Sequence, residues 1–225
     1  MTGNPPLIEL RKVTFAWKGG APVLDGLDLL LRDGQKAALV GGNGCGKTTL
    51  LMIVMGLARP RSGSVSILGE PMLAERDFRR ARPKLGFVFQ DADDQLFCPT
   101  VADDIAFGPL NLGATAEEAE GIVRDVLARL GMETFRDRVT HDLSGGEKRL
   151  VALGTALALR PRMLILDEPT NFLDRKARGR LMDILEELGL PCLVVSHDFG
   201  FLGRVCTSYL ELEGGKIRPL EALPS

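Results

Sequence analysis

The stretch Gly41-Gly42-Asn43-Gly44-Cys45-Gly46-Lys47-Thr48-Thr49 contains the pattern G-x-x-x-x-G-K-[ST] and directly follows the apolar run Ala37-Ala38-Leu39-Val40. This is the composition of a polyphosphate cradle. Its glycines allow φ > 0, so successive backbone N–H groups turn toward one anion, and the helix that follows adds its positive N-terminus. Lys47 supplies a mobile charge for β- and γ-phosphates, and Thr48 a hydroxyl for Mg²⁺. The apolar Leu50, Leu51, Ile53 and Val54 place strand, loop and helix in the order the pattern needs.

Other groups suit chemistry on the same kind of ligand. Asp167 and Glu168 follow Met163-Leu164-Ile165-Leu166, and a buried parallel strand delivering acids at its carboxyl end is the geometry of a ligand site in an open α/β sheet. Asp167 would hold Mg²⁺ through water and Glu168 would orient or deprotonate an attacking water, unless both are plain loop acids. His197 ends the apolar run that starts at Cys192, either as an ordinary strand-end histidine or as a donor to a γ-phosphate. Trp17, the single tryptophan, offers a π-face for a purine or is a strand-end aromatic. In Leu143-Ser144-Gly145-Gly146-Glu147 a capping box alone accounts for Ser144 and Glu147. Two successive glycines, however, weaken a helix start by about 1 kcal/mol each relative to alanine, which makes close approach to an anion the natural reason for them.

The elements that must position these groups follow from periodicity. Alternating apolar residues predict antiparallel strands over 7–17 and 23–31, and short apolar runs predict strands at 65–68, 85–89, 163–166 and 192–196. A charged helix is expected over 75–82, an exposed loop over 91–100, and the next clear helix from the capping box Thr115-Ala116-Glu117-Glu118 to Gly131. Asp174 is expected to cap a helix running to about residue 188, and Gly214-Gly215 to turn a final hairpin. Strands alternating with helices indicate an α/β fold with a mostly parallel sheet, into which residues 91–160 insert as a mostly helical segment.

Composition narrows the function classes. With 225 residues, 45% hydrophobic and 26% charged, one large domain is expected, and a net charge of −2 argues against a general nucleic-acid binder. The four cysteines show no C-x-x-C spacing and read as reduced thiols. Residues 1–6 are polar and proline-rich, without a secretory pattern, and no apolar run approaches the ~18 to 20 residues of a bilayer helix.

Over nearly the whole chain, residues 7–218, these motifs resemble the nucleotide-binding subunit of the ATP-binding-cassette transporters. The resemblance implies a P-loop NTPase core with a mostly parallel sheet, an antiparallel β subdomain and an inserted α-helical subdomain. It assigns 7–90 and 161–218 to the core and 91–160 to the helical part. It implies ATP and Mg²⁺, with Trp17 stacking on adenine and Gly41, Asn43, Gly44, Cys45, Gly46, Lys47, Thr48 and Thr49 holding the nucleotide. Leu166-Asp167-Glu168 resembles the Walker B end, and Gln90 would contact Mg²⁺ and the transport partner. Thr48, Gln90 and Asp167 would then attend the metal, while Glu168, His197 and Gln90 serve hydrolysis. Ser144, Gly145, Gly146 and Glu147 resemble the signature that caps the γ-phosphate bound on a second subunit, and Leu173-Asp174 the loop at the dimer seam. A homodimer is expected, with a heterodimer permitted.

The stretches Phe89-Gln90-Asp91-Ala92-Asp93-Asp94-Gln95-Leu96-Phe97 and Thr100-Val101-Ala102-Asp103-Asp104-Ile105-Ala106-Phe107-Gly108-Pro109-Leu110-Asn111 resemble the energy-coupling-factor group. That implies integral membrane transport subunits as partners, a peripheral place on the cytoplasmic face of the cell membrane, and cobalt or nickel ions as solute. Biotin or another vitamin is the alternative. Phe172 departs from the small residue usual in the family, and the neighbouring Asn171 is similar to the soluble ribosome-associated branch, so an ATP-dependent regulator on ribosomes or DNA is the alternative of another class.

Overall fold

The computed structural model describes residues 5–224. The polar opening of the chain therefore lies largely outside the described residues. Two compact units divide the chain, Met1–Arg82 with Pro191–Ser225, and Pro83–Leu190.

In the first unit, β1 (Ile8–Phe15) and β2 (Leu24–Leu31) pair antiparallel, as their alternation predicts. Ile8, Leu10, Val13 and Phe15 are buried, and the step of three from Leu10 to Val13 coincides with a register shift. Lys12 takes φ 49° there and donates its N–H to Asp28 Oδ1 at 2.9 Å, so the extra residue of the bulge keeps its amide satisfied. The chain continues through β3 (Lys36–Val40), α1 (Lys47–Val54), β4 (Ser62–Ile67), β5 (Glu70–Pro71) and α2 (Glu75–Ala81). Antiparallel pairing gives one sheet the order β2-β1-β4-β5. Leu50, Leu51, Ile53 and Val54 of α1 are all buried, and each such side chain contributes about 1.5–3 kcal/mol relative to exposure.

The second unit opens with β6 (Leu85–Val88) and holds α3 (Val101–Asn111), α4 (Ala116–Leu130), α5 (Gly145–Ala158), β7 (Met163–Asp167) and α6 (Arg175–Leu188). β6 and β7 run parallel, with Leu85 opposite Met163 and Val88 opposite Leu166. Every residue of β7 is buried, which is why the run reads as continuously apolar. In α4, Ala119, Val123, Val126, Leu127 and Leu130 form the buried stripe, and Thr115 and Glu118 exchange side-chain bonds to each other's N–H.

The residues between Gln90 and the Thr115 helix differ from expectation. Residues 92–94 form a 3-10 turn capped by Asp91, and Ala92 and Leu96 are buried rather than part of an open loop. α3 follows at once, with Thr100 Oγ1 accepting from the Asp103 N–H. Gly108 and Pro109 near its end mask the helical period in the sequence.

The chain then returns to the first unit with β8 (Cys192–Val195), α7 (Phe199–Val205), β9 (Ser208–Glu213) and β10 (Lys216–Leu220). β3 lies between β8 and β9, parallel to both, and β10 closes an antiparallel hairpin on β9. Gly214 and Gly215 take φ 55° and 75°, the two positive values that a tight turn of this hand requires. α7, capped by Asp198, escapes the sequence reading because Gly200 and Gly203 interrupt its seven residues.

Candidate active site

Within the first unit, β3 ends at Val40 and α1 begins at Lys47, so residues 41–46 form the connecting loop. Two of its glycines are required by both conformation and space. Gly41 has φ 151°, and a Cβ there would stand 2.5 Å from Leu212 O and 2.8 Å from Cys45 Sγ; Gly46 has φ 111°, and its Cβ would meet Val23 Cγ1 at 2.8 Å. Asn43, Gly44 and Thr48 are exposed, while Thr49 is buried at the start of α1.

Lys47 is only 8% exposed, yet its ammonium is turned back into the loop. Nζ donates to Gly41 O at 2.7 Å and Gly42 O at 3.1 Å, and lies 3.5 Å from His197 Nε2. The residues after β8 thus bring His197 from the far end of the sequence to the lysine of the cradle. Trp17 is 51% exposed, with Phe15 edge-on at 4.9 Å fixing the ring from one side.

The second unit carries the acids. β7 ends at Asp167 and Glu168 follows directly; they are 5% and 8% exposed, and Glu168 takes φ 45°. A left-handed glutamate at a strand end is the kind of backbone strain that functional positions hold. Nothing in the sequence announces that strain. Phe172 takes φ 62° four residues later and is 94% exposed, and Asp174 caps α6 by accepting from the Ala177 N–H at 2.7 Å.

At the head of α5 the capping box is formed as read. Ser144 N–H donates to Glu147 Oε2 at 2.7 Å, and Glu147 N–H to Ser144 Oγ at 3.4 Å. The Ser144 hydrogen bond, helped by Arg138 Nη1 at 3.0 Å, holds the Glu147 carboxyl below the usual carboxylate range. The two glycines have different reasons. A Cβ on Gly146 would stand 3.0 Å from Ala177 Cβ, so packing on α6 demands it, whereas a Cβ on Gly145 would meet nothing nearer than Phe172 O at 4.0 Å. Packing therefore accounts for Gly146 and leaves the space beside Gly145 open.

Gln90 is exposed just beyond β6, and its surroundings contain residues that motif reading missed. Arg149, 4% exposed on α5, donates from Nη1 to Phe89 O at 2.5 Å and from Nη2 to Gln90 O at 2.6 Å. Gln95 accepts from the Phe89 N–H at 3.0 Å and donates to Ala152 O and Thr155 Oγ1 at 2.8 and 2.7 Å. The available signal was an arginine inside the apolar helix Leu150-Val151-Ala152-Leu153, where a surface residue is not expected.

All the groups proposed for Mg²⁺, namely Thr48, Gln90 and Asp167, offer oxygen donors, the chemistry that ion prefers. Among the described residues no helix is long and apolar enough to cross a membrane, and no group of three or more His, Cys, Asp or Glu is arranged to hold a metal ion. A concavity of about 890 Å³ on the antiparallel sheet, lined by residues such as Glu9, Lys12 and Asp28, includes none of the residues singled out from the sequence.

Comparison with known proteins gives a consistent picture. A profile described as ABC transporter matches residues 24–171. A protein of Nitratidesulfovibrio vulgaris, provisionally named ABC transporter ATP-binding protein, is 49% identical over 95% of this chain and 78% of its own length. The energy-coupling factor transporter ATP-binding protein EcfA2 of Methanospirillum hungatei is 42% identical over 94% of this chain, which spans 54% of that protein. Among solved structures, cbiO1 from Clostridium perfringens, described as part of the ABC transporter complex cbiONQ, superposes with a TM-score of 0.86 at 31% identity, covering 95% of this chain and 87% of that one. The ATP-binding cassette MJ0796, solved as a dimer in a post-hydrolysis state bound to ADP and Pi, superposes with a TM-score of 0.84 at 29% identity, over 97% of this chain and 99% of that one.

Proposed function

Because this chain belongs to the ABC transporter family and is an ATP hydrolase, we propose that it is the ATPase subunit of an energy-coupling-factor importer, worked by ATP-driven closure of two copies. The observation that carries this reading is the 42% identity to EcfA2 across 94% of the chain. Cobalt or nickel ions are the proposed solute, as the resemblance of the residues around and after Gln90 to the energy-coupling-factor group implies, with biotin or another vitamin as the alternative. The chain sits at the cytoplasmic face of the membrane through its integral membrane subunits. Exposed apolar side chains on and before α3, among them Phe97, Phe107 and Leu110, support docking there, since contiguous exposed apolar surface marks interaction sites.

The chemistry is assigned residue by residue. The loop N–H groups and Lys47 neutralise the β- and γ-phosphates, and Trp17 stacks on adenine. Lys47 needs only to release two backbone carbonyls to reach an incoming phosphate. Mg²⁺, when bound, neutralises charge on the phosphate oxygens, and Thr48, Asp167 and Gln90 are the groups proposed to hold it. Glu168 is the proposed base, orienting water and drawing its proton, while His197 donates a hydrogen bond to the γ-phosphate. Ser144, Gly145 and Gly146 of one copy cap the γ-phosphate bound to the cradle of the other, with Asp174 near the seam.

Glu168→Gln tests the central assignment. It should bind ATP with near-native affinity, lose turnover by about a hundredfold or more, and accumulate as a dimer in size-exclusion chromatography with ATP. Turnover at the parental rate would overturn the role of Glu168. Uptake of labelled cobalt, nickel and biotin in a deletion strain tests the solute, and loss of biotin uptake alone would replace the metal reading with the vitamin one.

A further inference from the structure

The sequence motifs leave unexplained why a cation is buried in the helix that follows the Ser144 turn. Arg149 lies within an apolar face, and burial pushes its guanidinium below the ordinary arginine value despite the nearby charges of Asp91 and Asp167. Burying a cation is costly and by itself weak support for stability. Its geometry is specific, however. The planar fork sends one nitrogen to Phe89 O at 2.5 Å and another to Gln90 O at 2.6 Å. Those carbonyls belong to the peptide planes on either side of the Gln90 Cα, so holding both sets the direction in which the Gln90 side chain leaves the backbone.

We propose that Arg149 is the positioning residue for Gln90, clamping both peptide planes that flank it to α5, so that the Gln90 loop and the Ser144 turn move as one piece. The proposal rests on the role given to Gln90 above. Two further ties along the same helix support it. Gln95 takes the Phe89 N–H and reaches Ala152 O and Thr155 Oγ1, so Phe89 is held at both its N–H and its C=O. Lys148 meets Asp93 Oδ1 at 2.6 Å. Residues 148, 149, 152 and 155 fall on one side of α5, and α5 begins at Gly145, one turn before Arg149. A displacement imposed on the Gln90 loop therefore reaches the Ser144 turn through a rigid helix rather than through a flexible connection.

The test is a double-mutant cycle on the purified full chain, reading the dissociation constant for ATP by titration and kcat by phosphate release. Arg149→Met, which keeps the apolar stem, should lower kcat about tenfold or more while leaving ATP affinity within about twofold. Arg149→Lys keeps the charge without the fork and should fall between the two. In a Gln90→Ala background, Arg149→Met should cost nothing further, because nothing remains to be aimed. If Gln90→Ala slows turnover and the two losses multiply, the clamp is refuted and the role of Gln90 survives. If Gln90→Ala leaves turnover unchanged, both fall. Should Arg149→Met fail to fold, Arg149→Lys and Gln95→Leu run the same cycle with the same criteria.

Discussion

Glu168 and Phe172, with φ of 45° and 62°, bracket the turn that follows β7, and neither has the freedom of glycine to take that conformation cheaply. Their burial separates the reasons. Glu168 is 8% exposed and is the proposed base, so its strain goes with an aimed carboxylate; Phe172 is 94% exposed and packs on nothing that would compensate. Phe172→Gly should therefore relieve the left-handed backbone at the expense of some unfolded-chain entropy. The net is between no change and a gain of about 1 kcal/mol in urea unfolding. A loss larger than that would show the ring to be packed in solution. Lys47→Ala acts on the ligand instead. Removing the ammonium that holds Gly41 O and Gly42 O should cost ATP binding about 1.5–3 kcal/mol by calorimetric titration, the range for a hydrogen bond to a charged group. Unaltered affinity would remove Lys47 from the phosphate site.

Among the elements, α5 joins stability to function at its first turn. Its capping box is read directly from Ser144 and Glu147, and Ser144→Ala should cost about 1 kcal/mol in urea unfolding. The pH dependence has a definite sign. The folded-state pKa of Glu147 is lowered, first by its bond with Ser144, so its contribution is present above the unfolded carboxylate value and is lost as pH falls through the folded one. The stability gap between the parent and Glu147→Gln should thus narrow from about pH 7 to about pH 3. A gap that widened would mean the carboxylate is not what the cap uses. Elements with strong local signals were legible in the sequence, from the cradle turn between β3 and α1 to the alternation of β1 and the continuous apolar run of β7. α3 was hidden by Gly108 and Pro109, and α7 by its brevity and two glycines. Arg149 stood out in the sequence only as a charge in an apolar helix, since its partners are backbone carbonyls 60 and 59 positions upstream and no side-chain pattern records them.

For the whole molecule, the cradle and the head of α5 would each supply one part of a site that the proposed pair of copies completes. Helix N-termini attract anions, and a second one, supplied at Gly145, where an added Cβ would meet nothing nearer than Phe172 O at 4.0 Å, would reach the side of a γ-phosphate that the cradle leaves open. A symmetric pair then has two equivalent sites, each built from the cradle of one copy and the Ser144 turn of the other. Mixing two inactive variants exposes that arrangement. Lys47→Ala spoils both cradles of its own dimer, and Ser144→Arg spoils both caps of its own. In a mixed dimer both defects fall in one site, and the other site keeps an intact cradle and an intact cap. With random pairing about half of the dimers are mixed and half of their sites are whole, so ATPase activity should recover to about a quarter of the parental value. If each copy instead completed its own site, every site in the mixture would carry one defect and activity would stay at the level of the separate variants.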